Sequence, residues 1–160
     1  MAATFEWSES NGVGEDITDG ISNINFGSAD IVNLVPSAYP IVGGGASFEK
    51  YIRCKFTGVW TEISNMKFWK SLGSYVAGES IKLGIVDYAQ PSSTPNADSN
   101  VDETEPGWVV NSGEGNPTIE YGATGVSGYT QYMRLQLQTT GSTPAGAVHQ
   151  KTFTFQYDEV

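Results

Sequence analysis

The chain has 160 residues, with 8 Lys+Arg against 18 Asp+Glu, a formal charge of −10 and a pI near 4.3. This length suits one domain and not two. A single Cys and a single His exclude a disulfide framework and a four-ligand Cys/His zinc site, and the acidity makes nucleic acid a poor partner.

Only 16% of residues are charged, against about 25% in an average soluble domain. The surface must therefore be built from Ser, Thr, Asn, Gln and Gly. No stretch approaches the roughly 18 apolar residues of a membrane span. The opening Met1–Trp7 has no basic segment and no apolar run. The lone thiol fits synthesis in a reducing cytoplasm.

In chain order, Thr4–Trp7 reads as a weak strand, followed by turns at Asn11-Gly12 and Asp19-Gly20. Ile21–Phe26 and Asp30–Val35 read as further weak strands before the Gly43–Gly45 turn. Tyr51–Phe56 is a strong strand. Ile52, Cys54 and Phe56 take its apolar face, while Tyr51, Arg53 and Lys55 take the other. Ile63–Trp69 is weaker, and its alternation puts Phe68 and Trp69 on opposite faces. Ile81–Ile85 alternates Ile81, Leu83 and Ile85 with Lys82 and Gly84. Gln90–Gly107 is polar, holds three Pro and reads as a long loop. Trp108–Val110 and Thr118–Tyr121 are short candidates flanked by turns at Ser112-Gly113 and Gly125–Gly128. Met133–Gln138 buries Met133, Leu135 and Leu137. After a second loop at Thr139–Ala147, Thr152–Tyr157 buries Phe153, Phe155 and Tyr157. No segment keeps a 3.6 period over three turns. The expectation is an all-β chain: one antiparallel β-sandwich domain over residues 1–160, jelly-roll-like, with long loops near 90–107 and 139–147.

Catalytic signals are sparse. Cys54 lies on an apolar strand face, where a thiol is inert packing, and His149 lies in a polar stretch far from it in sequence. No Gly-x-Ser-x-Gly elbow or P-loop occurs. The sequence offers Glu103/Glu105 and Glu6/Glu9 as carboxylate pairs, and a solvated surface explains them more simply than glycoside hydrolysis. Asp98, Asp102, Glu103 and Glu105 crowd one loop, and Glu15, Asp16 and Asp19 another. Both offer hard oxygen ligands for calcium, but neither has the Asp-x-Asp-x-Asp-Gly pattern. Trp60, Trp69 and Trp108 could form a sugar-stacking platform, but an interface contact explains an outward Trp equally well. No enzyme activity, cofactor or metal is therefore expected.

Charge is unevenly placed. Residues 50–82 hold six bases and two acids, between two segments of seven acids and no base. The pattern fits either pairing between neighbouring strands or one positive face on an acidic body.

Three stretches carry a resemblance. The first is Ile24-Asn-Phe-Gly-Ser-Ala-Asp with Asn33-Leu-Val-Pro and Tyr39-Pro-Ile. The second is Ser47-Phe-Glu-Lys-Tyr-Ile-Arg with Ile63-Ser-Asn-Met-Lys-Phe-Trp. The third is Tyr132-Met-Arg-Leu-Gln-Leu-Gln-Thr-Thr, with Ser142-Thr-Pro-Ala-Gly-Ala-Val and the ending Lys151-Thr-Phe-Thr-Phe-Gln-Tyr-Asp-Glu. Together they resemble small structural proteins of tailed-bacteriophage virions, of the head decoration or auxiliary type. The resemblance implies a virion protein, assembled in the bacterial cytoplasm, that cements the outer capsid lattice. Its partners would be the major capsid protein or other virion subunits, with a homo-oligomer such as a trimer, and neither nucleic acid nor membrane. Lys50, Arg53, Lys55, Lys67, Trp69 and Lys70 are the expected lattice-facing residues. The alternative is a carbohydrate- or receptor-binding module of a tail or fibre.

Overall fold

The alternation of the strong segments is realised as strands of two antiparallel sheets in a computed structural model. It describes residues 3–105, 108–113, 118–120, 128–146 and 149–160, with the backbone alone for Trp108, Val109, Ile119 and Glu120. The strands are β1 (Thr4–Asn11), β2 (Asp16–Asp19), β3 (Lys50–Thr57), β4 (Glu62–Leu72), β5 (Ser80–Val86), β6 (Ser99–Asn100), β7 (Trp108–Val109), β8 (Ile119–Glu120), β9 (Tyr132–Gln138) and β10 (Thr152–Glu159). The larger sheet runs β2-β1-β3-β9-β5-β6; in the smaller, β4 pairs with β10 on one side and with β7 and β8 on the other. The all-β sandwich expected from the sequence is the fold adopted.

Register explains the core. Trp7 lies opposite Cys54, Ile52 opposite Met133, and Leu83 opposite Leu135. Period two then sends all six, with Phe5, Phe56, Ile81 and Leu137, to one face of the larger sheet. There they meet Ile63, Met66, Phe68, Phe153, Phe155 and Tyr157 of the smaller sheet. The seam is aromatic. Phe5 stacks on Phe155, Phe56 meets Tyr157 edge-on at 4.9 Å, and Trp7 meets Phe68 edge-on at 5.9 Å.

Three expectations need correction. Ile21–Phe26 and Asp30–Val35 form no strands but part of an irregular loop over residues 21–49. Its Asn side chains compete with strand pairing. Asn33 has φ 51°, its Oδ1 accepts from the Ser22 amide, and Asn25 Nδ2 donates to the Leu34 carbonyl. Strand β2 was hidden because its sequence, Asp-Ile-Thr-Asp, is too short and polar to show alternation. Finally, Gln90–Gly107 contains β6, and the segment before it lies over the outer face of the larger sheet. Gln136, fully buried on that face, donates from Nε2 to the Ser47 and Thr94 carbonyls, and its Oε1 accepts from the Asn96 amide. The same cover buries Tyr51, whose ring meets Tyr88 at 5.0 Å and Tyr132 at 6.0 Å. The outer face is thus dry at Tyr51 and Gln136. The Gly125–Val126–Ser127 part of the predicted turn, Tyr121 at the end of the predicted Thr118–Tyr121 strand and the ends of both predicted loops lie outside the described residues.

Arg134 anchors that covering segment. Its Nε and Nη2 donate to the two oxygens of Asp98 at 2.9 and 2.7 Å, a bidentate pairing. Opposite Arg134, Gly84 leaves room for the carboxylate; a Cβ there would stand 2.7 Å from Asp98 Oδ2. Gly84→Ala is therefore expected to cost about 1–3 kcal/mol by overpacking. Faster hydrogen exchange at the Asn96 amide should accompany the lower melting temperature, and unchanged protection there would contradict this anchoring.

Candidate functional site

The six expected lattice-facing residues do not form one surface. Lys50 falls on the core side of β3, in register with the buried Leu135. Its ammonium donates to Glu9 Oε1 at 2.7 Å and to the Ile31 carbonyl at 2.6 Å, and both side chains are almost fully buried. Lys70 also faces inward. It is 5% exposed, donates to the Gly73 carbonyl at 2.6 Å, pairs with Glu103 and sits 4.8 Å from the Tyr75 ring centroid. These two lysines are corrected from surface to interior. Period two itself turns Lys50 inward with Ile52 and Lys70 inward with Phe68; it is their charge that suggested exposure, and a neighbouring carboxylate and carbonyl let each ammonium stay inside.

The other four lie on opposite outer faces. Lys55 is on the outer face of the larger sheet. Asp19 and Glu6 hold it at 2.5 and 3.2 Å, and their hydrogen bonds raise its pKa. Burial works against ionisation of Asp19, but the Lys55 hydrogen bond and others outweigh it and lower that pKa. Lys67 and Trp69 point out from the smaller sheet; Lys67 reaches Glu105 at 3.3 Å, while Trp69 is half-buried. Between pairing and a positive face, four of the six bases in residues 50–82 are thus paired with carboxylates.

Arg53 differs. No ion pair among the described residues engages it. Its guanidinium lies 3.9 Å from the Tyr129 ring centroid and 4.5 Å from that of Tyr132, and its Nε is buried without a hydrogen-bond partner. This stacked cation borders a concavity of about 300 Å³ that Glu15, Asp87, Tyr88, Gln131 and Tyr132 help to line. Turn, strand end and loop converge there from distant parts of the chain, so spacing gave no sign of it. Burial, then the hydrogen bond to Glu15, raises the Tyr132 pKa; burial, then Asp30 and Glu15, pushes Tyr88 up to about 12. Both phenols are neutral donors at neutral pH. The Tyr132 hydroxyl reaches Glu15 Oε1 at 2.6 Å, and the Tyr88 hydroxyl donates to the Gly12 carbonyl.

Other chemistry is dispersed. Cys54 is fully buried, and burial pushes its thiol well above the ordinary range. His149 is exposed, with Nδ1 2.9 Å from Ser74 Oγ. Among the described residues, no carboxylate is hydrogen-bonded to His149 to orient it, as a nucleophilic triad requires. Nor does any group of three or more His, Cys, Asp or Glu among them stand where it could hold a metal ion. In the acidic loops, Asp98 is spent on Arg134, Glu103 on Lys70 and Glu105 on Lys67. Trp60 packs against the core beside Phe56, Trp69 faces outward on the smaller sheet, and the Trp108 side chain lies outside the described residues. A three-Trp platform has no support in this arrangement. Compared with known proteins, the chain matches no family model, no curated protein and no solved structure at a significant level.

Proposed function

We propose that this chain is a non-enzymatic structural protein of a tailed-phage virion, a cement or decoration protein that docks on the outer capsid lattice. The observation that carries the reading is the loop over residues 21–49. It exposes Ile31, Val35, Tyr39 and Val42, with Val35 at 58% and Val42 at 81%. Scattered exposed aliphatics are ordinary, but a run of them on one fixed loop suits a protein interface.

The loop is fixed by its own bonds. Ser28 N donates to the Tyr39 carbonyl, Phe48 N to the Gly27 carbonyl, and Lys50 holds Ile31 from below. Leu34 is buried as its plug. A loop that is already ordered loses little conformational entropy on docking. Three of the segments that resemble phage virion proteins, Ile24–Asp30, Asn33–Pro36 and Tyr39–Ile41, lie in this loop. Apolar docking replaces the basic patch expected from the sequence, because Lys50 and Lys70 are interior and Lys55 and Lys67 are paired.

Co-sedimentation of the purified chain with intact and stripped particles of the phage that encodes it tests this. Saturation at a fixed ratio to capsid subunits is expected. The Val35→Glu, Val42→Glu double variant should fold normally and lose roughly tenfold or more in affinity, as expected for losing interface contacts. Binding confined to the tail, or none, would overturn the proposal.

A further inference from the structure

We propose that the cavity beside Arg53 binds a neutral saccharide. Tyr129 and Tyr132 cover the guanidinium, so its in-plane N–H edge is what remains for a ligand. Two acids, Glu15 and Asp87, line the same 300 Å³ space. That volume is at the small end of ligand sites, which run from about 300 Å³.

The charges select the ligand class. A simple anion would meet Glu15 and Asp87, and a simple cation would meet Arg53. A polyol suits both, since each hydroxyl donates to a carboxylate and accepts from a guanidinium or an amide. The polar groups for this are available. No hydrogen bond or ion pair among the described residues engages the Asp87 carboxylate, the Gln131 side-chain amide or the Arg53 guanidinium; Arg53 Nε is sealed from solvent, so its Nη groups are what a ligand meets. Glu15 is held in place: its φ of 56° is a left-handed conformation uncommon outside glycine, and its Oε1 is fixed by the Tyr132 hydroxyl. Aromatic rings beside a few converging polar groups complete the chemistry of a sugar site. Saccharide binding here does not depend on the virion role.

The test uses amide NMR spectra of the full chain with glucose, galactose or N-acetylglucosamine, each up to about 50 mM, enough to detect millimolar affinity. Acetate and tetramethylammonium serve as ionic probes. The expected result is a saturable shift with at least one sugar, centred on Val86–Tyr88 and Thr130–Tyr132. Asp87→Asn, at an exposed position, should keep the spectrum of a folded chain and weaken binding roughly tenfold; Arg53→Gln should do the same. No sugar shift, a shift with acetate or tetramethylammonium alone, or an unchanged affinity in Asp87→Asn would overturn the proposal.

Discussion

Lys50→Ala is expected to destabilise the chain by about 3–5 kcal/mol, the usual cost of stripping one partner from a buried ion pair. The Lys50 and Glu9 side chains are 1% and 0% exposed, with 2.7 Å between Nζ and Oε1. Alanine would leave the Glu9 carboxylate in the core with the Asn11 amide as its remaining hydrogen-bond donor. It would also release the Ile31 carbonyl. A double variant, Glu9→Gln with Lys50→Met, should recover most of the loss, because a paired charge and a well-packed neutral pair differ little in net stability. Urea unfolding of Glu9→Gln, of Lys50→Met and of the double variant gives the coupling directly. Hydrogen exchange supplies a local readout: the Ser28 and Phe48 amides, bonded within the 21–49 loop, should lose protection in Lys50→Ala before the strands do. A cost below about 1 kcal/mol would mean that the pair is not buried as described.

The neighbours Phe68 and Trp69 should respond very differently to truncation. Phe68 is fully buried, stacks on Phe153 at 5.4 Å and meets Trp7 across the sheets. Phe68→Ala should cost about 3–5 kcal/mol through lost burial and the cavity left behind, or roughly 10 °C in melting temperature for a chain of this size. Trp69, the larger side chain, faces outward, and Trp69→Ala should cost less than about 1 kcal/mol. Thermal melts of the two variants settle the facing of β4. Equal losses would reverse it, and with it the outward position of Lys67.

Those two residues mark how far the sequence could be read. Alternation put Phe68 and Trp69 on opposite faces, but could not say which was inside. Tertiary packing chose, because Phe68 meets Trp7 of β1 across the seam and stacks on Phe153 of β10 beside it. The same limit applies to Tyr51, Arg53 and Lys55, which alternation grouped on one open face. Tyr51 is instead sealed under Tyr88 and Tyr132, while Lys55 remains at the surface. The cavity beside Arg53 was illegible for a stronger reason. Glu15, Arg53, Asp87 and Gln131 are each unremarkable in their own segments, and only pairing of β1 with β3, β3 with β9 and β5 with β9 brings their neighbourhoods together.

Residue type and spacing alone specify the all-β class, the faces of the strong strands and the turn at Asn11-Gly12. Each of these follows from local rules: a side-chain period of two and the conformational preferences of Asn and Gly. The sheet order, the covering of the outer face by residues 87–98, the burial of Lys50 and Lys70, and the failure of 21–35 to form strands are set by packing. These depend on contacts between residues far apart in the chain. A lysine is driven outward by its solvation unless a distant carboxylate meets it inside, and residue type alone does not show that Glu9 is there for Lys50.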